Sequence, residues 1–157
     1  MLFEKALKAV LNWEGDYTND PRDPGGETRY GISKRAYPDL NIWLLTVEEA
    51  ANIYRADYWE KCQCDKFADP VAILLFDTAV NMGNDAAAKM LQSVVGVKVD
   101  GIIGPKTIHG VNMADPVWVV RELAAARMLR YSKMKNWDVY GTGWTRRLFD
   151  VALHAIK

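Results

Sequence analysis

Glu14 stands at the end of an apolar stripe. Phe3, Ala6, Leu7, Val10 and Leu11 recur at the spacing of one helix face, and position 14 continues that face from Leu7, Val10 and Leu11. A helix that buries this stripe carries the Glu14 carboxyl into an apolar environment, or to its lip. Desolvation, the negative end of the helix dipole and the nearby Asp16 would then all favour retention of a proton. A retained proton near neutral pH is what a general acid needs. A second reading stays open from periodicity alone, a structural glutamate paired with an arginine such as Arg29 or Arg55.

Directly behind Glu14 runs "GDYTNDPRDPGGETRYGIS". Pro21 and Pro24 fix φ, while Gly25 and Gly26 allow backbone that other residues avoid. Such a loop is stiff enough to hold Asp20, Asp23, Glu27, Thr28 and Tyr30 in set positions opposite Glu14. Two carboxyls, one protonated and one ionised, are the equipment for cleaving a glycosidic bond. Clustered acids also serve calcium, but Arg22 and the two prolines break the alternation that a calcium loop requires. Tyr17 and Tyr30 are candidates to line a sugar cleft, with packing as the equal alternative.

The elements that must position these groups are mostly helical. Gly15 is the natural stop of the first helix, and 15–32 reads as an irregular loop with a short hairpin. Thr46 and Glu49 form a capping box that opens "TVEEAANIYRADYWEK". Pro70 starts a third helix through "VAILLFDTAVNMG", and Asn84 or Asp85 can cap a fourth over "AAAKMLQSVV". "GPKTIHGVNMA" reads as a shorter fifth, Asp115 caps a long one to about Met134, and "GWTRRLFDVALHAIK" closes the chain. Irregular structure is expected over 15–45, 60–69 and 135–143. On the third helix Asp77 and Asn81 share a face at i, i+4, where they either satisfy buried groups or line the cleft. Among the six tryptophans, Trp59 and Trp118 fit the core, whereas Trp137 and Trp144 sit with Tyr140 by a "GTG" turn and suit exposed contact.

The 157 residues suit a single domain, with 50% hydrophobic and 25% charged residues, as in ordinary globular chains. No apolar run is long enough to span a bilayer, and Glu4, Lys5 and Lys8 interrupt the N-terminal apolar positions, unlike a signal peptide. A cytoplasmic start is therefore expected, without stable membrane insertion. Net charge is zero, which disfavours nucleic acid as a partner. The zero hides an asymmetry: 121–157 holds 8 basic and 3 acidic residues, so this end could face an anionic surface or simply be a solvated helix face. Cys62 and Cys64, one residue apart, suit reduced thiols, and with His109 and His154 they lack the spacing of a zinc site. No metal and no cofactor are expected.

"WEGDYTNDPRDPGGETRYGIS" resembles the signature of glycoside hydrolase family 108, the N-acetylmuramidases of phage endolysins and related bacterial lysis or secretion-activator proteins. "EEAANIYRADYWEK", "LLFDTAVNMG" and "AAAKMLQSVVGVKVDGIIGPKTIHGVN" follow in the family's order, so the resemblance covers nearly the whole chain. It implies a lysozyme-like helical fold with a short irregular or β-hairpin catalytic loop and a helical C-terminal half. It divides the single domain into a catalytic lobe, 1–68, and a peptidoglycan-binding-like lobe, 69–157. Glu14 takes the family's catalytic position. The spacing from Glu14 to Asp23 to Thr28 also resembles the Glu, Asp, Thr triad of phage lysozymes, with Thr28 one residue early and Asp16 in place of a usual glycine.

By that resemblance Glu14 protonates the leaving oxygen of the β-1,4 bond between N-acetylmuramic acid and N-acetylglucosamine. Asp23, with Asp20 as its rival, stabilises positive charge or activates water, and Thr28 orients that water. Tyr17, Asp20, Tyr30, Asp77 and Asn81 are the expected substrate-binding residues. "LQSVVGVKVDGIIGPKTIHGV" is similar to peptidoglycan-binding segments, although Gly101, Gly104 and Pro105 individually read as folding chemistry. The expected protein is a monomeric endolysin that leaves the host cytoplasm through holin lesions and acts on peptidoglycan in the periplasm. A non-catalytic peptidoglycan-binding protein, a lytic transglycosylase and a chitinase are the alternatives.

Overall fold

The computed structural model describes residues 1–19 and 26–157. Asp20 and Asp23, both expected in the site, lie outside the described residues. Among the described residues are seven α-helices and three two-residue strands. These are α1 (Leu2–Glu14), β1 (Tyr17–Thr18), β2 (Thr28–Arg29), β3 (Ile32–Ser33), α2 (Val47–Tyr54), α3 (Asp69–Met82), α4 (Asn84–Val94), α5 (Pro105–Asn112), α6 (Pro116–Tyr131) and α7 (Trp137–Ala155). The fold is mostly α and lysozyme-like, as expected. No described helix is long and apolar enough to cross a membrane.

The third helix is the axis of the structure. From Val71 to Ala79 every residue of α3 is buried, and α1, α4, α6 and α7 all pack on it. A helix apolar all round can only be stable at the centre of a core. Trp59 is fully buried beside it, edge-on to Phe76 at 5.5 Å and to Phe3 of α1 at 5.4 Å. Such aromatic pairs add roughly 0.5–1.5 kcal/mol each beyond the area they bury. The same apolar core takes in Leu7 and Val10 of α1 as well as Leu148 and Val151 of α7, so both ends of the chain meet on α3.

Local chemistry sets the helix ends. Glycine closes α1 and α3, with φ of +75° at Gly15 and +87° at Gly83. The Thr46–Glu49 capping box is present, its hydroxyl accepting from the Glu49 amide while the Glu49 carboxylate accepts from the Thr46 amide at 2.8 Å. Asp115 accepts from the Trp118 amide at 2.7 Å and opens α6.

Several elements differ from the sequence reading. The helix expected through Lys61 stays α-helical only to Tyr54, then widens into a π turn over Arg55–Trp59 that seats Trp59 in the core. Asn84 does not cap α4 but begins it, and its amide donates to the Asp57 carbonyl at 2.8 Å. The last helix starts at Trp137 and runs straight through both glycines of "GTG". The Trp137 ring lies over Gly141, where a Cβ would stand 2.6 Å from it, so packing overrides the low helix propensity of glycine. Trp144 is partly buried and stacked on Tyr131 at 5.2 Å, while Tyr140 is exposed. Trp118, expected in the core, is 37% exposed. Cys62 and Cys64 are buried free thiols, and burial pushes the Cys62 thiol up to about 12.

Candidate active site

The end of α1 is held against a small antiparallel sheet, ordered β1-β2-β3. Tyr17 pairs with Arg29 and Thr18 with Thr28, while Arg29 pairs in turn with Ile32. The β2–β3 hairpin therefore has a two-residue turn, Tyr30-Gly31, with φ of +50° and +77°. Two positive φ angles give the hairpin turn whose twist matches its strands. Tyrosine is strained there. The Tyr54 hydroxyl donates to its carbonyl at 2.8 Å, and the Arg29 guanidinium lies over its ring, 5.1 Å from the centroid.

Gly31 brings the hairpin close to Glu14. A Cβ at position 31 would collide with the Tyr54 hydroxyl and lie 2.8 Å from Oε2 of Glu14. Only glycine permits both the φ and the contact. The Glu14 side chain is 20% exposed, at the lip between the core and solvent. Tyr54 and Tyr58 flank it as neutral phenols. Burial first and the Glu14 charge second raise the Tyr54 hydroxyl, and burial, Asp57 and Glu14 raise that of Tyr58.

The cation beside Glu14 is neither Arg29 nor Arg55. Arg29 lies 3.8 Å from Asp16 and donates to the Trp43 carbonyl, and Arg55 pairs with Glu4 at 3.2 Å. Instead Nη1 of Arg147, on α7, stands 2.7 Å from Oε1 of Glu14. Nε of Arg147 donates to Oδ1 of Asp77 at 2.9 Å, and Nη1 of Arg127 donates to Oδ2 of Asp77 at 2.6 Å. Four charges thus alternate in sign from the core to the lip: Arg127, Asp77, Arg147, Glu14. Burial alone would weaken the Arg147 cation, but Asp77 and then Glu14 outweigh it and raise its pKa above the ordinary value. Arg127 and Asp77 are fully buried, where an unpaired charge would be costly.

The other expected site residues are distributed as follows. Tyr17 donates to Glu27 at 2.9 Å and meets the exposed Trp43 edge-on at 4.8 Å, forming an aromatic corner beside the hairpin. Thr28 donates to the Gly26 carbonyl at 3.1 Å, so its hydroxyl is engaged locally in this state. Tyr30 occupies the turn next to Gly31. Asp77 is a correction: it is 0% exposed and holds two arginines, so it cannot contact a sugar. Asn81, one turn on, is partly buried and accepts from the Tyr131 hydroxyl at 2.6 Å, which ties it to the same network.

Sequence reasoning missed Arg147, Tyr54, Tyr58 and Gly31. For Arg147 a signal existed, since it stands four residues before buried Val151 on the inner face of α7. Its partner, however, lies in a distant part of the chain. Away from the lip, a groove of about 640 Å³ lined by Lys8, Asn12, Trp13, Asp150 and His154 runs along the other face of α1.

The motif of the C-terminal half is organised by one buried side chain. Nε2 of Gln92 donates to Asp100 at 2.8 Å, to the Ile102 carbonyl at 2.9 Å and to Thr107 at 3.2 Å. Its Oε1 accepts from the amides of Asp100 and Gly101 at 3.0 and 2.9 Å. Gly101 has φ of +79°, and a Cβ there would strike Asp85. The glutamine, aspartate, glycine and threonine of "LQSVVGVKVDGIIGPKT" are thus fixed by folding.

A carboxylate at the lip of a helical core, faced by a short hairpin, is the arrangement of a lysozyme-type glycoside hydrolase. Residues 7–83 match the family model of Glycosyl hydrolase 108, and residues 86–149 match a Predicted Peptidoglycan domain. The structure is similar to that of Brucella abortus SagA, with a TM-score of 0.89 and 35% identity over 98% of this chain and 93% of that one. Comparison with curated protein sequences gives no match. The chain belongs to the glycosyl hydrolase 108 family. It is a muramidase-like enzyme with peptidoglycan as its substrate or partner.

Proposed function

We propose that this enzyme hydrolyses the β-1,4 bond between N-acetylmuramic acid and N-acetylglucosamine, with Glu14 as the general acid. The carrying observation is the placement of Glu14: side chain 20% exposed, Oε1 on Arg147 and Oε2 turned toward the Gly31 hairpin. With Oε1 engaged by Arg147, Oε2 is the oxygen left to take up a proton and pass it to the leaving sugar. Protonation lets the bond break as positive charge builds on the muramic acid ring. By the family resemblance Asp23, or its rival Asp20, stabilises that charge or activates water, and Thr28 orients the water by leaving the Gly26 carbonyl. Tyr17 and Tyr30 line the sugar path. In this reading 1–68 forms the catalytic lobe and 69–157 the wall-facing lobe. The protein acts as a monomeric phage endolysin, made in the host cytoplasm and admitted to the periplasm by holin lesions, where it causes lysis.

Digestion of purified Gram-negative peptidoglycan, with mass spectrometry of the fragments, tests the reaction. Wild type should release fragments with reducing muramic ends, and Glu14→Gln should release almost none. Anhydro-muramic ends would instead mean a lytic transglycosylase, and binding without any release would mean a wall-binding protein.

A further inference from the structure

We infer that Arg147 is a positioning residue for the reaction, so that the peptidoglycan-like half of the chain completes the active site rather than only gripping the wall. The inference rests on the reading of Glu14 as the acid. Arg147 falls within 86–149, matched to the Predicted Peptidoglycan domain, whereas Glu14 falls within 7–83, matched to the glycosidase family. The guanidinium joins the two across the core. It reaches Oε1 of Glu14 at 2.7 Å with one nitrogen and Oδ1 of Asp77 at 2.9 Å with Nε. Asp77 is itself fixed by Arg127, whose Nε donates to the Tyr131 hydroxyl at 2.9 Å. Arg147 is 7% exposed, and its planar fork can serve two carboxylates at once, so it has little freedom to turn.

Two consequences follow for chemistry. Glu14 sits at the last turn of α1, followed by Gly15 at φ +75°, a place where a side chain would otherwise sample several rotamers. The α7 guanidinium selects one of them. It also makes the two carboxyl oxygens unequal, holding Oε1 as an acceptor and leaving Oε2 to face the hairpin. A displacement of about 1 Å at a reacting group can cost on the order of 10²-fold in rate.

The test compares the full-length wild type with Arg147→Lys and Arg147→Met, measuring kcat and KM on solubilised peptidoglycan, with circular dichroism as the check on folding. Lysine keeps the charge but loses the fork. We expect kcat to fall about tenfold for Arg147→Lys and about a hundredfold for Arg147→Met, with KM within about twofold of wild type. A folded Arg147→Met with kcat within about threefold of wild type would overturn the inference, as would equal losses in both variants. A loss carried by KM would overturn it too, because it would put Arg147 in wall binding. Should Arg147→Met not fold, Arg147→Lys decides: wild-type kcat refutes and a tenfold loss at constant KM supports. Full activity of Glu14→Gln removes the proposed function itself. Inactive Glu14→Gln beside active Arg147→Met removes only this inference.

Discussion

Replacing Gly31 by alanine is the sharpest perturbation the hairpin offers. The residue sits at φ +77°, which costs an alanine about 1–2 kcal/mol in left-handed backbone. Its new methyl would collide with the Tyr54 hydroxyl and lie 2.8 Å from Oε2 of Glu14. Relieving that overlap costs about 1–3 kcal/mol in shifted side chains. The expected loss of stability is therefore about 2–5 kcal/mol, read from urea unfolding. Gly96→Ala is the control. Its φ is +68°, just past the end of α4, yet a Cβ there meets nothing within 4 Å among the described residues, so only the backbone cost applies. The two variants should differ by about 1–3 kcal/mol, and only Gly31→Ala should lose activity, by about 10²-fold, through a displaced Glu14. Equal unfolding midpoints with full turnover in Gly31→Ala would refute the close approach of hairpin and carboxylate.

Three other predictions concern the frame around the site. Asp77→Asn leaves Arg127 and Arg147 buried without their shared anion and should lose about 3–5 kcal/mol in urea unfolding; a loss below about 1 kcal/mol would show that the network does not hold as described. Gln92→Ala removes a hub of five hydrogen bonds and should lower the thermal midpoint, while wall-fragment affinity in the folded variant stays near wild type. A wild-type midpoint with lost affinity would instead make Gln92 a ligand. Hydrogen bonds from Lys61 and then Tyr37 hold the Asp57 carboxyl below the usual carboxylate range. A depressed folded pKa gives stability that is present above the unfolded value and lost as pH falls through the folded one. The stability gap between wild type and Asp57→Asn should therefore shrink below about pH 4, and a gap independent of pH would contradict the assignment.

Glu14 was readable because periodicity places a residue on a face, and the face was the buried one. Its partner was not, because an ion pair between α1 and α7 leaves no local pattern in either segment. Asp77 shows the limit of the i, i+4 rule. The rule put Asp77 and Asn81 on one face but could not say whether that face met the core or the cleft. The apolar run "VAILLFDTAV" held the answer: a helix apolar all round is central, so polar groups on it point into the core. At "GTG" the two glycines suggested a turn, yet Gly141 is small because the Trp137 ring lies against it. The hairpin leaves only a loose trace in the sequence, since β1, β2 and β3 have two residues each and carry no alternation to detect.

The central claim, that Glu14 delivers the proton from the lip facing Gly31, is tested most directly by a crystal structure of Glu14→Gln bound to a tetrasaccharide of alternating N-acetylglucosamine and N-acetylmuramic acid. The sugar chain should run past the hairpin with the scissile oxygen within about 3 Å of the side-chain amide at position 14. A chain bound elsewhere, with that amide more than about 6 Å from any glycosidic oxygen and too far for one bridging water, would contradict the account.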